Sequence, residues 1–532
     1  MGIYTNQVGY YPTAVKHGTV TKAGVYRVVN SSNDTVLEIN VSEQDLTFDD
    51  NSGEKCSSID FSSVKTVGTY HIESEAGEKS CSFVISENAY DKLFSDSIRM
   101  FYFQRCGMAL EEKYAGKFAH KICHIKPVSV LRNRADVFEC NGGWHDAGDF
   151  GRYVTAGAVA LAHLLYAFEM MPEKLSLDLN IPETGSGMPD ILSECKYELD
   201  WMLKMQNAEG GVYHKCTSIK HADFIMPEDD DLDFFATPVS SMAVADFVAV
   251  CYLAARIYKK YDEQYSAKLS NAADKSWQWL LDNPEFLYDN DPSCTTGEYD
   301  DVNDLDERMW AAAERYRACK DEVAVSYIGK QLVYRINTTS VGWWDVGGFA
   351  SVAVLTAEDN LFPVDVVNRF KSDWTDEANR LREIITSNSY EISFRSHEFV
   401  WGSNMEILKN AVVLFIQAKR SGDSSYSDAA IHQLDYILGR NAVNFSYVTG
   451  HGENAFKNPH NRPTASDGVE EVIPGYVSGG ANGHPCDEVA CELIPEGTAP
   501  MKCFVDRVEC YSLNEITIYW NSIFVWALAF AL

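Results

Sequence analysis

The chain has 532 residues, 46% of them hydrophobic, which allows a sizeable core and excludes global disorder. Its formal charge of −32 argues against nucleic acid or an anionic membrane as partner and favours a neutral or cationic ligand. Aromatic residues, at 12%, supply rings for a core and leave a surplus that suits sugar-stacking surfaces.

The N-terminal MGIYTNQVGYYP has no basic stretch followed by an apolar one, so no secretion signal is visible. Residues 1–88 read as short alternating runs, among them GTVTKAGVYRVVN, DTVLEINVSE, KTVGTYHIESE and KSCSFVIS. Clusters of Ser, Asn, Asp and Gly separate them, the pattern of a small all-β sandwich. From residue 89 the period becomes helical. Segments such as TAGAVALAHLLYAFEMM, PVSSMAVADFVAVCYLAARIYKKY and MEILKNAVVLFIQAKRSG predict ten to twelve helices with no strand-rich stretch among them. No fixed repeat is present, so the pairing suggests an α/α toroid whose loops at one end build a site. The closing YWNSIFVWALAFAL is a core helix in this reading, and no run of 18 apolar residues suggests a membrane span. Fourteen cysteines are too scattered to be a disulfide framework.

Several stretches carry possible chemistry. GGWHDAGDFG, residues 142–151, places Asp146 and Asp149 between glycines. Alone it reads as a turn that caps the helix beginning near Tyr153; a catalytic reading needs a distant carboxylate. Glu515, in CYSLNEITIYWNS, is expected at the start of the last helix among apolar neighbours. Desolvation there would raise its pKa and suit a general acid, while a capping glutamate is the structural alternative. The HNR of a Pro-rich loop adds His460 and Arg462. Cys106, Cys123, His124 and His145 offer the two thiolates and two imidazoles of a tetrahedral zinc site, with His120 as a substitute; the irregular spacing leaves buried free cysteines open. GEYDDVNDLDERMW clusters the oxygen ligands that calcium needs without EF-hand spacing; the alternative is a solvated loop with Asp306 and Glu307 at a helix N-terminus.

GGWHDAGDFGRYV, VTGHGENAFKNPHNRPTASDG and YSLNEITIYWNS resemble the three signature regions of glycoside hydrolase family 9, the inverting β-1,4-glucanases. TGEYDDVNDLDERMWAAAE, FVWGSNMEI and LDYILGRNAVNFSYVTG fit the same family, and NQVGY (Asn6–Tyr10) matches the opening of its immunoglobulin-like module. The resemblance implies an all-β immunoglobulin-like sandwich over 1–88 followed by an all-α (α/α)6 barrel over 89–532. It implies an endo-β-1,4-glucanase acting on cellulose or related β-glucan, with Asp149 as general base, Asp146 holding the water and Glu515 as general acid. His460 and Arg462 would bind substrate hydroxyls. Trp401 would stack on a glucosyl ring, unless it is a core residue, and His214, Tyr511 and Trp343 or Trp344 are further cleft candidates. Structural zinc would sit on Cys106, Cys123, His124 and His145, and calcium on Asp306, Glu307 and Asp345.

An exo-acting member releasing cellobiose, glucose or glucosamine from chain ends is the alternative. A non-catalytic carbohydrate-binding protein is a distant one, because Asp149 and Glu515 are both present. CDEVACELIPEGTAPMKCFVDRVEC departs from the family pattern by clustering Cys486, Cys491, Cys503 and Cys510; disulfides, a third metal site and free thiols all stay open, and the loop could close one end of the cleft. The expected protein is a secreted monomer whose leader is absent from this sequence, with the cytoplasm as the alternative, binding neither nucleic acid nor membrane.

Overall fold

The computed structural model describes residues 2–284, 286–334 and 336–532. The N-terminal part is a sandwich of two sheets. One runs Ile3–Tyr4, His17–Val20, Glu54–Asp60, Thr47–Asp49; the other runs Gly9–Tyr10, Phe83–Ile85, Gly68–Ser74, Gly24–Asn30, Thr35–Val41. Pairing is antiparallel except where Gly9–Tyr10 lies parallel to Phe83–Ile85. Alternation explains the packing: in Gly68–Ser74 every second residue, Tyr70, Ile72 and Ser74, is buried. Tyr70 and Ile72 join Tyr10, Phe61 and Phe83 in a core separate from that of the helices.

Twelve helices of nine or more residues follow among the described residues. They form six pairs, each with an amphipathic outer member and an inner member buried nearly all round. The inner helices are Val154–Met170, Ser241–Tyr258, Leu305–Cys319, Gly347–Leu355, Ser403–Ser421 and Ile518–Ala531. The last of these packs between Val154–Met170 and Ser403–Ser421 and takes the first helix, Asp91–Phe103, as its outer partner, so the ring closes. This is an (α/α)6 barrel. Its axis is filled by rings: Tyr166 stacks on Phe349 and Trp526, with centroids 5.9 and 6.1 Å apart, and accepts a hydrogen bond from Trp310 Nε1.

Two expectations are corrected here. Ser241–Tyr258 is long and apolar enough to cross a bilayer, with a mean hydropathy of 1.4, but it is an inner barrel helix and 94% of it is buried. The helical part also contains a five-stranded sheet, in the order Asn133–Phe138, Val128–Val130, Phe234–Ala236, Lys215–Ser218, Arg152–Tyr153. Its strands are two to six residues long, too short for alternation to stand out in the sequence. This sheet delivers Tyr153 to the site end of the barrel.

The NQVGY stretch docks the sandwich on the barrel. Asn6 Nδ2 donates to Asp435 Oδ1 and Tyr90 Oη (2.9 and 3.0 Å), and Gln7 N–H donates to the Leu438 carbonyl (2.9 Å). Beside it, fully buried Arg440 donates Nη2 to Glu391 Oε2 at 2.6 Å, and His17 Nδ1 lies 2.8 Å from the same oxygen. Removing one partner of a buried pair strands the other charge. Arg440→Ala is therefore expected to lower the unfolding free energy by about 3 kcal/mol, measured by guanidinium titration; an unchanged midpoint would mean that this buried cluster does not stabilise the junction.

Candidate active site

GGWHDAGDFG is an irregular loop ahead of the inner helix Val154–Met170, pinned from several sides. His145 N–H donates to the Gln104 carbonyl (2.7 Å), and the Gln104 amide donates back to the carbonyls of His145 and Ala147 (3.0 and 2.9 Å). Ile518 N–H donates to the Asp146 carbonyl at 2.8 Å, which ties the loop to the start of the last helix. Arg462 donates its backbone N–H and Nη1 to the Gly148 carbonyl (3.0 and 2.8 Å). A Cβ on Gly148 would lie 1.9 Å from the His460 carbonyl oxygen, so the close approach requires glycine.

The two aspartates are held differently. Asp149 Oδ2 accepts from Gly151 N–H (3.1 Å) and Tyr153 OH (3.2 Å), and His221 Nδ1 lies 3.3 Å away. Asp146 Oδ2 accepts from Tyr299 OH at 2.5 Å, while its Oδ1 is buried without a partner among the described residues.

Glu515 is not in the first turn of the last helix, as the sequence reading expected. That helix begins at Ile518 and is capped by Thr517, whose Oγ1 accepts from Trp520 N–H (3.1 Å). Glu515 follows the single turn Tyr511–Asn514 in an extended conformation, with φ −58° and ψ 155°. Its carbonyl accepts from Gly479 N–H (2.9 Å), and His460 N–H donates to neighbouring Asn514 (3.2 Å). This bridging needs extended backbone, so the helix waits for the better cap at Thr517.

Asp146, Asp149 and Glu515 line one cavity of about 500 Å³, walled by Tyr299, Trp343, Trp401, Tyr519 and Trp520. Their environments push the carboxyls apart. Burial raises Glu515 well above the usual carboxylate range, and the charges of Asp149 and Asp146 add to it. Burial and Asp149 likewise raise Asp146. Burial would also raise Asp149, but the His221 hydrogen bond and charge and the Arg462 guanidinium outweigh it and hold this carboxyl below the usual range.

The other expected residues divide. Trp401 is 46% exposed on the cleft, its ring 5.3 Å from that of Tyr511, so it is a surface platform and not a core residue. Trp343 lines the cavity with its ring 4.9 Å from Tyr299, and Trp344 lies outside it. His460 packs edge-on against Tyr511 and Phe224, with Nδ1 2.6 Å from the Val508 carbonyl; burial lowers its pKa. Arg462 is mostly buried; its Nη1 donates to the Gly148 carbonyl and its Nε to the Ala222 carbonyl (2.8 Å). His214 is not on the cleft. It is fully buried, stacked on Tyr288 at 3.7 Å, with Nδ1 against Ser240 Oγ and Nε2 against the Glu298 carbonyl.

Cys106, Cys123, His124 and His145 do converge, with one ligand atom of each within 4.8 Å of all the others. Among the described residues His124 Nδ1 and His145 Nε2 are buried without a hydrogen-bond partner, while His124 Nε2 faces Asp230 Oδ2 at 3.2 Å. Two orphaned imidazole nitrogens beside two thiols, one imidazole braced by a carboxylate, fit a zinc ion. His120 stays outside this group, with Nδ1 on the Lys121 carbonyl. The acidic run gathers differently from the expected set: Asp301 joins Asp306 and Glu307 within 4.8 Å, and Asp345 stands beside them. Burial and Asp306 push Asp345 up to about 7 and Asp301 to about 6; among the described residues Glu307 Oε2 and Asp246 Oδ1 are buried without a hydrogen-bond partner. An all-oxygen nest of unpaired carboxylates fits a hard cation such as calcium. Cys486, Cys491, Cys503 and Cys510 are free thiols, as are the other ten cysteines, so no disulfide forms in that cluster.

Sequence reasoning missed three residues that touch the carboxyls, Tyr153, His221 and Tyr299, and Tyr519, whose hydroxyl lies 3.3 Å from that of Tyr299. Tyr299 was visible as part of the acidic run, and its left-handed backbone (φ 52°) turns it toward Asp146 and away from that nest. His221 sits in a loop with no motif around it, so only the fold reveals it. Gly148→Ala is expected to cost about 1–3 kcal/mol through the clash with His460; unfolding at the wild-type midpoint would show that the two loops separate freely.

Comparison with known proteins agrees with this architecture. The model of "Glycosyl hydrolase family 9" matches residues 90–528, and that of "Cellulase N-terminal ig-like domain" matches residues 2–79. A cellodextrinase of Butyrivibrio fibrisolvens is 41% identical over 99% of both chains. A thermostable endoglucanase from Alicyclobacillus acidocaldarius superposes with a TM-score of 0.93 at 30% identity, over 99% of both chains. A zinc-binding triple mutant of the family 9 endoglucanase J30 superposes equally well, at 32% identity over 98% of this chain and 99% of that one. The chain therefore belongs to glycosyl hydrolase family 9.

Proposed function

We propose that the chain hydrolyses β-1,4-glucan with inversion, with Asp149 as general base and Glu515 as general acid. One observation carries this reading: two carboxyls in one aromatic-walled cavity have pKa values driven in opposite directions. Burial and the neighbouring aspartates favour the protonated form of Glu515, which can give its proton to the departing glycosidic oxygen. Asp149 is ionised at neutral pH and can take a proton from water. The unpartnered Asp146 Oδ1 is the natural second acceptor for that water, with Tyr299 holding the other oxygen. Acid and base then act from opposite faces of the sugar with a water between, which is the inverting arrangement. Trp401 and the other rings suit the apolar face of a glucosyl unit.

Endo-acting cleavage of cellulose or a related glucan is the first reading, since the superposable structures are endoglucanases. Action on short cellodextrins is the second, favoured by the full-length similarity to a cellodextrinase. Viscosity loss of barley β-glucan set against reducing ends, with the products from cellohexaose, separates the two. The base must be ionised and the acid protonated, so activity should fall on the alkaline side as pH rises through the raised pKa of Glu515. Asp149→Ala and Glu515→Gln are each expected to lower kcat by about 10²–10⁴-fold; near-normal turnover in either would overturn the assignment.

We further propose structural metals. Zinc on Cys106, Cys123, His124 and His145 would brace the loop from behind, because His145 adjoins Asp146. Calcium on Asp301, Asp306 and Glu307, with Asp345 beside them, would neutralise a nest of buried carboxylates. Chelation is expected to lower the unfolding free energy by about 4 kcal/mol. Thermal unfolding that ignores the chelator, together with no zinc or calcium by elemental analysis, would remove both.

A further inference from the structure

A second cavity, of about 380 Å³, lies beside the catalytic one in the crevice between the inner helix Ser403–Ser421 and the outer helix Val364–Ile385. Glu406 belongs to both walls. The chain also steps from one cavity to the other at Val400, which lines the crevice, and Trp401, which lines the cleft. The crevice is held open by bonds across it. Asn51 of the sandwich donates Nδ2 to the Phe394 carbonyl (3.0 Å) and accepts from Ser396 Oγ (3.2 Å). Asn410 Nδ2 on the inner helix donates to Ser393 Oγ (2.9 Å), and Lys409 Nζ crosses to Ser340 Oγ (3.1 Å). Its charges are matched within its own walls. Arg380 gives Nε and Nη2 to the two oxygens of Glu377 (2.8 and 2.7 Å), and Lys409 Nζ lies 2.8 Å from Glu406 Oε1. Among the lining residues the other ionisable groups are His397 and Glu398, whose carboxylate accepts from Arg395 N–H (2.7 Å).

We propose that this crevice binds a sugar branch, so that the substrates include β-1,4-glucans carrying short branches on their primary hydroxyls. The inference rests on the reading of the cleft as a glucanase site. Matched charges give the crevice little pull on an ion. Each acid–base pair instead sets an acceptor beside a donor, and a sugar hydroxyl, which both donates and accepts, engages the two together. Phe394, Val400 and Val413 add apolar surface for the C–H faces of a ring. The volume is at the low end of the ~300–1,000 Å³ of small-ligand sites, which suits a short branch and excludes a second glucan chain. The stereochemistry of the main chain agrees. Successive rings of a β-1,4-glucan face alternate sides, so a pocket in one wall meets the hydroxymethyl group of every second ring. A ring stacked on Trp401 with that group toward Val400 and Glu406 sends its branch into the crevice. An unbranched chain leaves the crevice to water and is cleaved as before.

The test sets kcat/KM on a xyloglucan oligosaccharide, whose xylosyl branches sit on primary hydroxyls, against kcat/KM on cellohexaose. The wild type is expected to cleave both. Thr339→Trp, which fills the crevice from its loop wall, is expected to lower the ratio of branched to unbranched activity about tenfold or more. Arg380→Ala removes one donor pair from a half-exposed site; it is expected to lower the same ratio about fivefold, and it carries the test if the larger residue prevents folding. A wild type that cleaves cellohexaose and leaves the branched oligosaccharide intact overturns the proposal while the glucanase reading stands. So does a ratio that Arg380→Ala and a folded Thr339→Trp both leave at the wild-type value, which would show that branches are held elsewhere. If neither substrate is cleaved, the reading of the cleft itself fails and the proposal falls with it.

Discussion

The site depends on one backbone contact. Gly148 lies against the His460 carbonyl, and its own carbonyl takes two donors from Arg462. Because His460 pairs in turn with the segment of Glu515, this contact sets how an aspartate from the first inner helix's loop faces a glutamate near the end of the chain. No side-chain interaction could do this as stiffly. A hydrogen-bonded pair of backbones leaves no rotamer to relax, and an inverting mechanism tolerates little error in the gap that holds its water.

Around that contact the protein manages an excess of negative charge. Elsewhere in the barrel, several glutamates are matched by arginines. Arg105 lies between Glu183 and Glu194, Arg256 between Glu169 and Glu314, and Arg440 against Glu391. At Asp146 and in the acidic nest this matching stops, and carboxyls meet carboxyls or phenols instead. The contrast separates scaffold from chemistry: paired charges hold helices together, and unpaired ones are left to bind protons, water or cations.

Much of this was legible in the sequence, for identifiable reasons. The inner helices announce themselves as long apolar runs, and Asp146, Asp149 and Glu515 stand in motifs long enough to be specific. Cys106, Cys123, His124 and His145 could be collected by residue type alone. What the sequence withheld depends on contacts between distant segments. His214 looks like a cleft residue until Tyr288 and Ser240 are seen to enclose it. Arg462 can be read from the sequence as a polar loop residue, but not its backbone bonds to Gly148 and Ala222. The small sheet was invisible because its strands are too short to carry a period, and Tyr299 and His221 reach the carboxyls only through backbone turns that no local pattern encodes.

The closure of the barrel also orders its assembly. Asn6 and Gln7 find their partners at Asp435, Leu438 and Asn444, and the first helix packs on the last, Ile518–Ala531. On a ribosome the sandwich, with its own core, can fold early. The barrel cannot, because its sixth inner wall is synthesised after everything it must support. Until Ile518–Ala531 emerges, Tyr166 and Phe349 lack the ring of Trp526 that fills the axis, and five helix pairs stand as an open arc with apolar faces bared.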